Sequence, residues 1–452
     1  MDKICKPSLS FQDCELAILR VQVDKAQSKI SMRIVESAET IKILKIVETF
    51  LKKKKLVCYG GIAINALLPN DDKIYNEDID IPDYDFFTSN ALEDAKQLSN
   101  EFYKQGFNEV EAKAAQHHNT FKVYVNFMAV ADITYIPDEL FKTIRKRAKL
   151  IKGIYYTDAN FLRMGMYLEL SRPDGDTERW EKVLKRLILI NKYYPIETNN
   201  CKSILFQRKM DDVSDNLIIF NTVKKVLIDN NVIFFGGYAI SKYKKYMPNK
   251  YKKKKSNIPD FDVIADQAEE VAYKIEKELS KKDYKVKVIE KQAIGDIIPI
   301  HYEINVNNET IVFLYKSIAC HNYNLIDEGS KKIRIATIDT ILNFYFAFIY
   351  ANRPYYDENR LLCMANLLYK VQEKNRLEQK GILKRFSILC MGIQPSREQM
   401  RQTKSDMYKK LKKGTKEYDS WFLNYRPDKL SKTKKSKIKK EKKSKKTKKK
   451  KK

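Results

Sequence analysis

Between Leu56 and Phe87 the chain reads LVCYGGIAINALLPNDDKIYNEDIDIPDYDFF, and two features of this stretch could do chemistry. Gly60-Gly61 closes a short apolar run that is predicted to be a buried strand turning into a short helix. Without Cβ atoms there, backbone N–H groups can close on an anion, and the helix N-terminus adds its partial positive charge. Further on, Asp83 and Asp85 stand at i and i+2, so on a strand both side chains leave the same face. Both can then grip one divalent cation, with a second cation shared nearby. A third carboxylate, Asp132, interrupts the apolar stretch VNFMAVADITYIP on the face it shares with Val130 and Thr134. A lone aspartate in such a strand costs energy unless something offsets its burial, and a cation does so. Three carboxylates beside an anion-binding turn are the layout that metal-dependent phosphoryl transfer needs. A nearer pair, Asp78 and Asp80 in EDIDIP, competes with Asp83 and Asp85 for the same role.

The elements that must position these groups can be read in outline. Ile34, Ile41, Leu44, Val47 and Leu51 recur at near-helical spacing, and four lysines close that run, where a helix C-terminus favours cations. Asn90 is placed to cap a helix that Gly106 ends, and alternating segments from Phe107 to Tyr135 read as strands. Residues 138–149 read as a basic helix, and 158–170 and 177–192 as two more.

The pattern then starts again. A helix over residues 215–230 leads into NVIFFGGYAI, so Gly236-Gly237 repeats Gly60-Gly61, and IPDFDVIA repeats IPDYDFF. The offset from Gly to Asp is 23 residues in the first copy and 24 in the second. Both pairs share the frame I-P-D-aromatic-D, which selects Asp83/Asp85 over Asp78/Asp80. Asp158 and Arg172-Pro173 match Asp339 and Arg353-Pro354 with a spacing of 14 kept. The copies differ in their chemistry. The strand TIVFLY of the second copy carries no carboxylate, and Glu309 just before it is the open candidate. Where the first copy has the acidic NDDKIYNEDID, the second has SKYKKYMPNKYKKKKSN. Its Lys244, Lys245, Lys252, Lys253, Lys254 and Lys255, interleaved with tyrosines, suit phosphates and stacked bases; a solvated basic loop is the alternative.

Composition bounds the rest. The 452 residues exceed one ordinary core, and 43% hydrophobic content supports globular structure. Of the net charge of +29, about half sits in residues 429–452, with 16 lysines against one glutamate. That run holds too little apolar material for a core and is expected to be disordered. The remaining basic excess suits a polyanionic partner. The seven cysteines show no C-x-x-C and no pairing with the four histidines, so neither a disulfide framework nor a zinc site is expected. No apolar run reaches the roughly 18 residues of a membrane span, and a soluble, non-secreted protein is expected.

The order Gly-Gly, helix, D-x-D on a strand and third Asp on the next strand resembles the DNA polymerase β-like nucleotidyltransferases. The wording GGIAIN, PDYDFF and ADITYIP is similar to the poly(A) polymerase catalytic subunits of giant DNA viruses, related to those of poxviruses. The resemblance spans about residues 35–370. It implies a mixed α+β fold of two tandem nucleotidyltransferase-like units, each a small mixed sheet with flanking helices. The divisions expected are an N-terminal extension 1–34, a catalytic domain 35–200, an inactive twin 201–428 with a helical C-terminal part, and the tail 429–452. It further implies template-independent addition of adenylates from ATP to mRNA 3′ ends, with Asp83, Asp85 and Asp132 holding two Mg²⁺ or Mn²⁺ ions. Gly60 and Gly61 would position the triphosphate, and Asn160 and Arg163 would contact the incoming nucleotide. A homodimer or an accessory processivity subunit fits the family, as does a viral factory in the host cytoplasm or packaging in the virion. Another acceptor (tRNA, a small nucleotide or a protein) and a non-catalytic RNA-binding subunit remain the alternatives.

Overall fold

The computed structural model describes residues 5, 8–76, 82–201, 215–249 and 260–428. Asp78 and Asp80, Lys252–Lys255 and the tail 429–452 lie outside them. The chain divides into two compact units, one built from Met1–Tyr135, Ala148–Tyr156 and Thr403–Lys452, the other from Ile136–Arg147 and Thr157–Gln402.

The first unit begins with helices α1 (Phe11–Val35) and α2 (Ala38–Lys54). The near-helical run read from Met32 onward is interrupted because the Ser37 hydroxyl caps α2, accepting from the Thr40 N–H at 3.1 Å. Lys55 ends α2 in the left-handed region, behind a last turn of Lys52, Lys53 and Lys54. Ile43, Val47, Phe50 and Leu51 form its buried stripe. There follow β1 (Val57–Cys58), α3 (Gly60–Leu67), β2 (Tyr84–Thr88), α4 (Ala91–Lys104), β3 (Val110–Ala114), β4 (Thr120–Val125), β5 (Met128–Tyr135), β6 (Lys149–Ile151) and β7 (Ile154–Tyr156). In β4 the alternation of Phe121, Val123 and Val125 with Thr120, Lys122 and Tyr124 puts the apolar side chains on the core face. The sheet order is Asn424–Tyr425, β3, β4, β5, β2, β1, β7, β6. The pairs β2·β5 and β1·β7 are parallel.

The second unit contains α5 (Asp138–Arg147), α6 (Ala159–Leu170), α7 (Trp180–Tyr193), α8 (Asn216–Asp229), β8 (Ile233–Phe234), α9 (Gly237–Tyr243) and β9 (Phe261–Ala265). After the helix Ala268–Ser280 come β10 (Val286–Lys291), β11 (His301–Val306), β12 (Glu309–Lys316), β13 (His321–Glu328) and β14 (Lys331–Ala336), with β15 (Cys390–Met391) later. Its sheet runs β10, β11, β12, β9, β8, β14, β13, β15. Apart from one short edge strand in each, the two sheets have the same order. Corresponding pairs run in the same sense, and a register shift recurs at Val123/Tyr124 and Ile304/Asn305. The duplication is therefore a duplication of topology, and the mixed α+β class is the one observed.

Three expectations are corrected. The units cut across the boundary expected near residue 200. Residues 157–200 belong to the second unit, where they pack on the helix Ile338–Phe348: Asn343 donates to the Met164 carbonyl at 3.0 Å, and Tyr167 stacks on Phe346. Residues 403–428 return to the first unit, where Asn424–Tyr425 pairs with β3 and Lys96 meets Asp419 at 3.1 Å. The match of Asp158 with Asp339 is displaced by two residues. Asp158 caps α6, and the residue capping the corresponding helix Ile338–Phe348 is Thr337. Finally, the cysteines pair as Cys5–Cys14, Cys201–Cys363 and Cys320–Cys390, and Cys58 is a buried free thiol. Two of these pairs join residues 162 and 70 positions apart, which no local spacing reveals. Among the described residues no helix is long and apolar enough to cross a membrane.

Candidate active site

The site is built around the β1–α3 turn. Gly60 has φ +67°, and a Cβ there would stand 2.9 Å from Asp85 Oδ2. Only glycine satisfies both the backbone and the close approach. At Gly61 a Cβ would meet the Tyr75 hydroxyl at 2.5 Å. The side chain of Tyr59, at the N-cap of α3, makes no capping hydrogen bond. Tyr59 is held instead by its backbone N–H on the Asp85 carbonyl at 3.0 Å, by stacking on Phe87, and by its hydroxyl on Thr134 at 2.9 Å.

The carboxylates gather on the neighbouring strands. Asp85 on β2 and Asp132 on β5 are direct register partners across a parallel pair, so they share a face, and Asp83 immediately precedes β2. Asp83 keeps solvent access, yet partial desolvation and then the charge of Asp132 push its carboxyl above the ordinary range. Burial, then the charge of Asp85, pushes the Tyr59 hydroxyl up, and Asp132 and Asp83 add to it. All three carboxylates therefore act on one side chain.

Lys122 lies directly across β4·β5 from Asp132 and donates to its Oδ2. Burial pulls the Lys122 ammonium down, but its bond to Asp132, with the charges of Asp132 and Asp83, more than reverses this. Asp132 Oδ1 is buried and has no hydrogen-bond partner among the described residues. Such an atom is costly unless a further partner arrives, and a cation provides one. The donor set, all hard oxygens, fits Mg²⁺ or Mn²⁺. The three aspartates are not drawn to within 4.8 Å of one another; among the described residues that spacing is reached by Asp174, Cys320 and Cys390.

The second copy reproduces the frame without the third acid. Phe235 donates its N–H to the Asp262 carbonyl at 3.0 Å, as Tyr59 does to Asp85. The register partner of Asp262, however, is Phe313, buried against Tyr355. Glu309 starts β12 four residues earlier and does not supply the missing ligand. The position of Lys122 is taken by Glu303, which accepts from the Tyr355 hydroxyl at 2.9 Å. Asp260 and Asp262 are both buried and line a cavity of about 10 Å³ with Arg360, too small for a nucleotide.

Asn160 and Arg163 belong to the second unit. Arg163 is buried and donates to Asn160 at 2.7 Å and Asn191 at 2.8 Å. Lys244 and Lys245 form a single turn with Tyr246, and Lys245 lies over the Tyr246 ring. Lys122 and Tyr59 were not singled out from the sequence. The alternation of β4 placed Lys122 on the polar face, but its partner depends on strand register, which local pattern does not give.

The first unit thus carries a glycine turn, a D-x-D and a third aspartate on the adjacent parallel strand, and the second repeats its sheet without that third aspartate. Residues 45–176 match the family model described as the poly(A) polymerase catalytic subunit. A provisionally named poly(A) polymerase catalytic subunit of African swine fever virus (isolate Pig/Kenya/KEN-50/1950) is 36% identical over 188 residues, 40% of this chain and 39% of that protein. Its counterpart of the same provisional name in Acanthamoeba polyphaga mimivirus is 33% identical over 159 residues, 34% of this chain and 27% of that protein. The matches thus span well under half the length of these relatives. The crystal structure of the Megavirus polyadenylate synthase shares the fold, with a TM-score of 0.77 at 20% identity, covering 94% of this chain and 87% of that one.

Proposed function

We propose that the chain extends RNA 3′ ends with adenylate from ATP, without a template. The observation that carries this is the register pairing of Asp85 with Asp132, with Asp83 charge-coupled to Asp132 beside the Gly60 turn. Asp83 and Asp85 would hold two Mg²⁺ or Mn²⁺ ions, and Asp132 the one nearer the primer. Such ions would supply positive charge for the α-phosphate and the leaving pyrophosphate and would lower the pKa of the 3′-hydroxyl. The first-turn N–H groups of α3 face the triphosphate. Lys122 fixes Asp132 through one oxygen and leaves the other for a ligand. Tyr59, clamped by Phe87 and Thr134, keeps the turn closed on Asp85. The basic residues of the second copy supply RNA contacts, and a homodimer or accessory subunit is compatible with this role.

A primer comparison tests the reading. RNA ending in a normal ribose should be extended with ATP, and the same RNA ending in 3′-deoxyadenosine should not. Extension of the blocked primer, or of neither, would contradict it.

A further inference from the structure

A cleft of about 520 Å³ opens in the second unit, bordered by α7, the helix Glu358–Lys374 and the segment after it. This volume is of the order that holds small ligands, roughly 300–1,000 Å³. One wall is flat. The Arg385 guanidinium lies 4.7 Å from the centre of the Phe386 ring, and Trp180 packs behind Phe386 at 5.7 Å. The wall is also held rigidly. Asp339, fully buried, takes two-pronged hydrogen bonds from Arg385 at 2.9–3.2 Å, and the Arg385 N–H donates to Gln379 at 3.0 Å. Phe386 itself sits at φ +52°, a left-handed conformation that costs a bulky residue about 1–2 kcal/mol. Such strain persists where surrounding contacts over-determine it, and it clusters at ligand sites.

The polar groups of the cleft are as informative. Gln372 donates its amide N–H to Asp339, and Asn375 donates its own to the Val371 carbonyl. Their amide oxygens remain as two acceptors at the cleft. Formal charge nearly cancels there, because Asp339 neutralises Arg385 and Glu373 offsets Arg376. A near-neutral slot with a cation-backed aromatic wall and two acceptors suits a flat heterocycle bearing an amino group. It suits neither an isolated phosphate nor an acidic peptide.

We propose that this cleft binds one amino-bearing nucleobase, adenine first among them, stacked on Phe386 and Arg385 with its amino group on Gln372 and Asn375. The base comes either from a free nucleotide or from an RNA strand; the strand as source rests on the polyadenylation reading. An enzyme that repeatedly releases a 3′ end gains from a second point of hold on the strand, and adenine is the base it would have just added.

The test uses the full chain and ultraviolet cross-linking to oligo(A) carrying 8-azidoadenosine, followed by peptide mapping. Cross-links are expected within residues 369–386. They should be competed by unlabelled oligo(A) and less by oligo(U). Competition by millimolar AMP would identify a free nucleotide as sufficient; insensitivity to AMP would identify the strand. Phe386→Gly removes the ring and relieves the left-handed backbone, so it should fold while lowering oligo(A) affinity roughly five- to fiftyfold. Asn375→Ala should weaken adenine preference over uracil. Absence of cross-links in 369–386 overturns the proposal, and so does full affinity in Phe386→Gly. Extension activity is read separately, so a chain that extends RNA without these cross-links refutes the cleft alone. Cross-links in a chain that cannot extend RNA refute only the catalytic reading. Capture of a protein at the neighbouring exposed Leu377, Ile388 and Ile393 with no nucleotide bound would also overturn it.

Discussion

Asp85 and Asp132 face each other across a parallel strand pair, whereas Asp262, in the place of Asp85, faces Phe313. One substitution at one register position separates a complete carboxylate set from an incomplete one. Asp83→Asn, Asp85→Asn and Asp132→Asn should each lower extension at least about a hundredfold with RNA affinity nearly kept, since ligand loss acts on the transition state first. The double variant Asp260→Asn with Asp262→Asn should stay within a few-fold of the parent in single-turnover extension. A comparable loss in both sets, with folding intact by circular dichroism, would assign chemistry to both copies.

The Asp83 carboxyl has a pKa raised by desolvation and by Asp132, so its sign in stability is fixed. The folded state holds the proton more tightly than the unfolded chain does. Stability from this group is therefore present at low pH and is lost as pH rises through the folded value. Asp83→Asn should raise the melting temperature at pH 7, and the gain should vanish at a pH below the ordinary carboxylate range. A variant less stable than the parent at pH 7 would mean that Asp83 is stabilised by groups other than those named.

Much of this was readable in the chain. The I-P-D-aromatic-D frame located both aspartate pairs, because strand entry, turn and alternation are local properties. The topology repeat followed from the Gly-Gly landmarks. Register is not local. The pairing of Lys122 with Asp132, and the substitution of Phe313 for the third acid, depend on which residue of one strand meets which of another. The return of Asn424–Tyr425 to the edge of the first sheet was equally hidden, since two residues carry no periodicity. The cysteine pairs join segments that no spacing rule connects.

Gly60→Ala should cost about 1–2 kcal/mol from its left-handed backbone and also displace Asp85, so activity should fall further than stability explains. Gly236 is tighter still: a Cβ added there would fall 1.8 Å from Asp262 Oδ2. Gly236→Ala should therefore lower the melting temperature while the surviving folded fraction keeps normal extension per molecule. Denaturant melts paired with active-fraction titration separate the two effects.

Lys122 holds Oδ2 of Asp132, and its positive charge opposes a cation at Oδ1. Lys122→Met should lower the Mn²⁺ concentration needed for half-maximal binding, measured by titration without RNA or ATP, by a few-fold. A requirement for more Mn²⁺ would show that the hold of Lys122 on Asp132 outweighs its repulsion of the ion.

The charge in residues 429–452 gives a salt signature. Removing these residues should make the plot of log RNA affinity against log salt shallower, since each lysine on a phosphate contributes somewhat under one unit of slope. An unchanged slope would show that the tail makes no RNA contact under the assay conditions.

Adenylate transfer at this site is tested most directly by incubating the purified full chain with end-labelled, template-free RNA and each of the four NTPs separately, with Mg²⁺, with Mn²⁺ and with chelator. A ladder of added nucleotides is expected with ATP and a divalent ion, absent with chelator and absent in the Asp85→Asn variant. A ladder that survives chelator or the Asp85→Asn change, or no extension under any of these conditions, would contradict the assignment of this site to adenylate transfer.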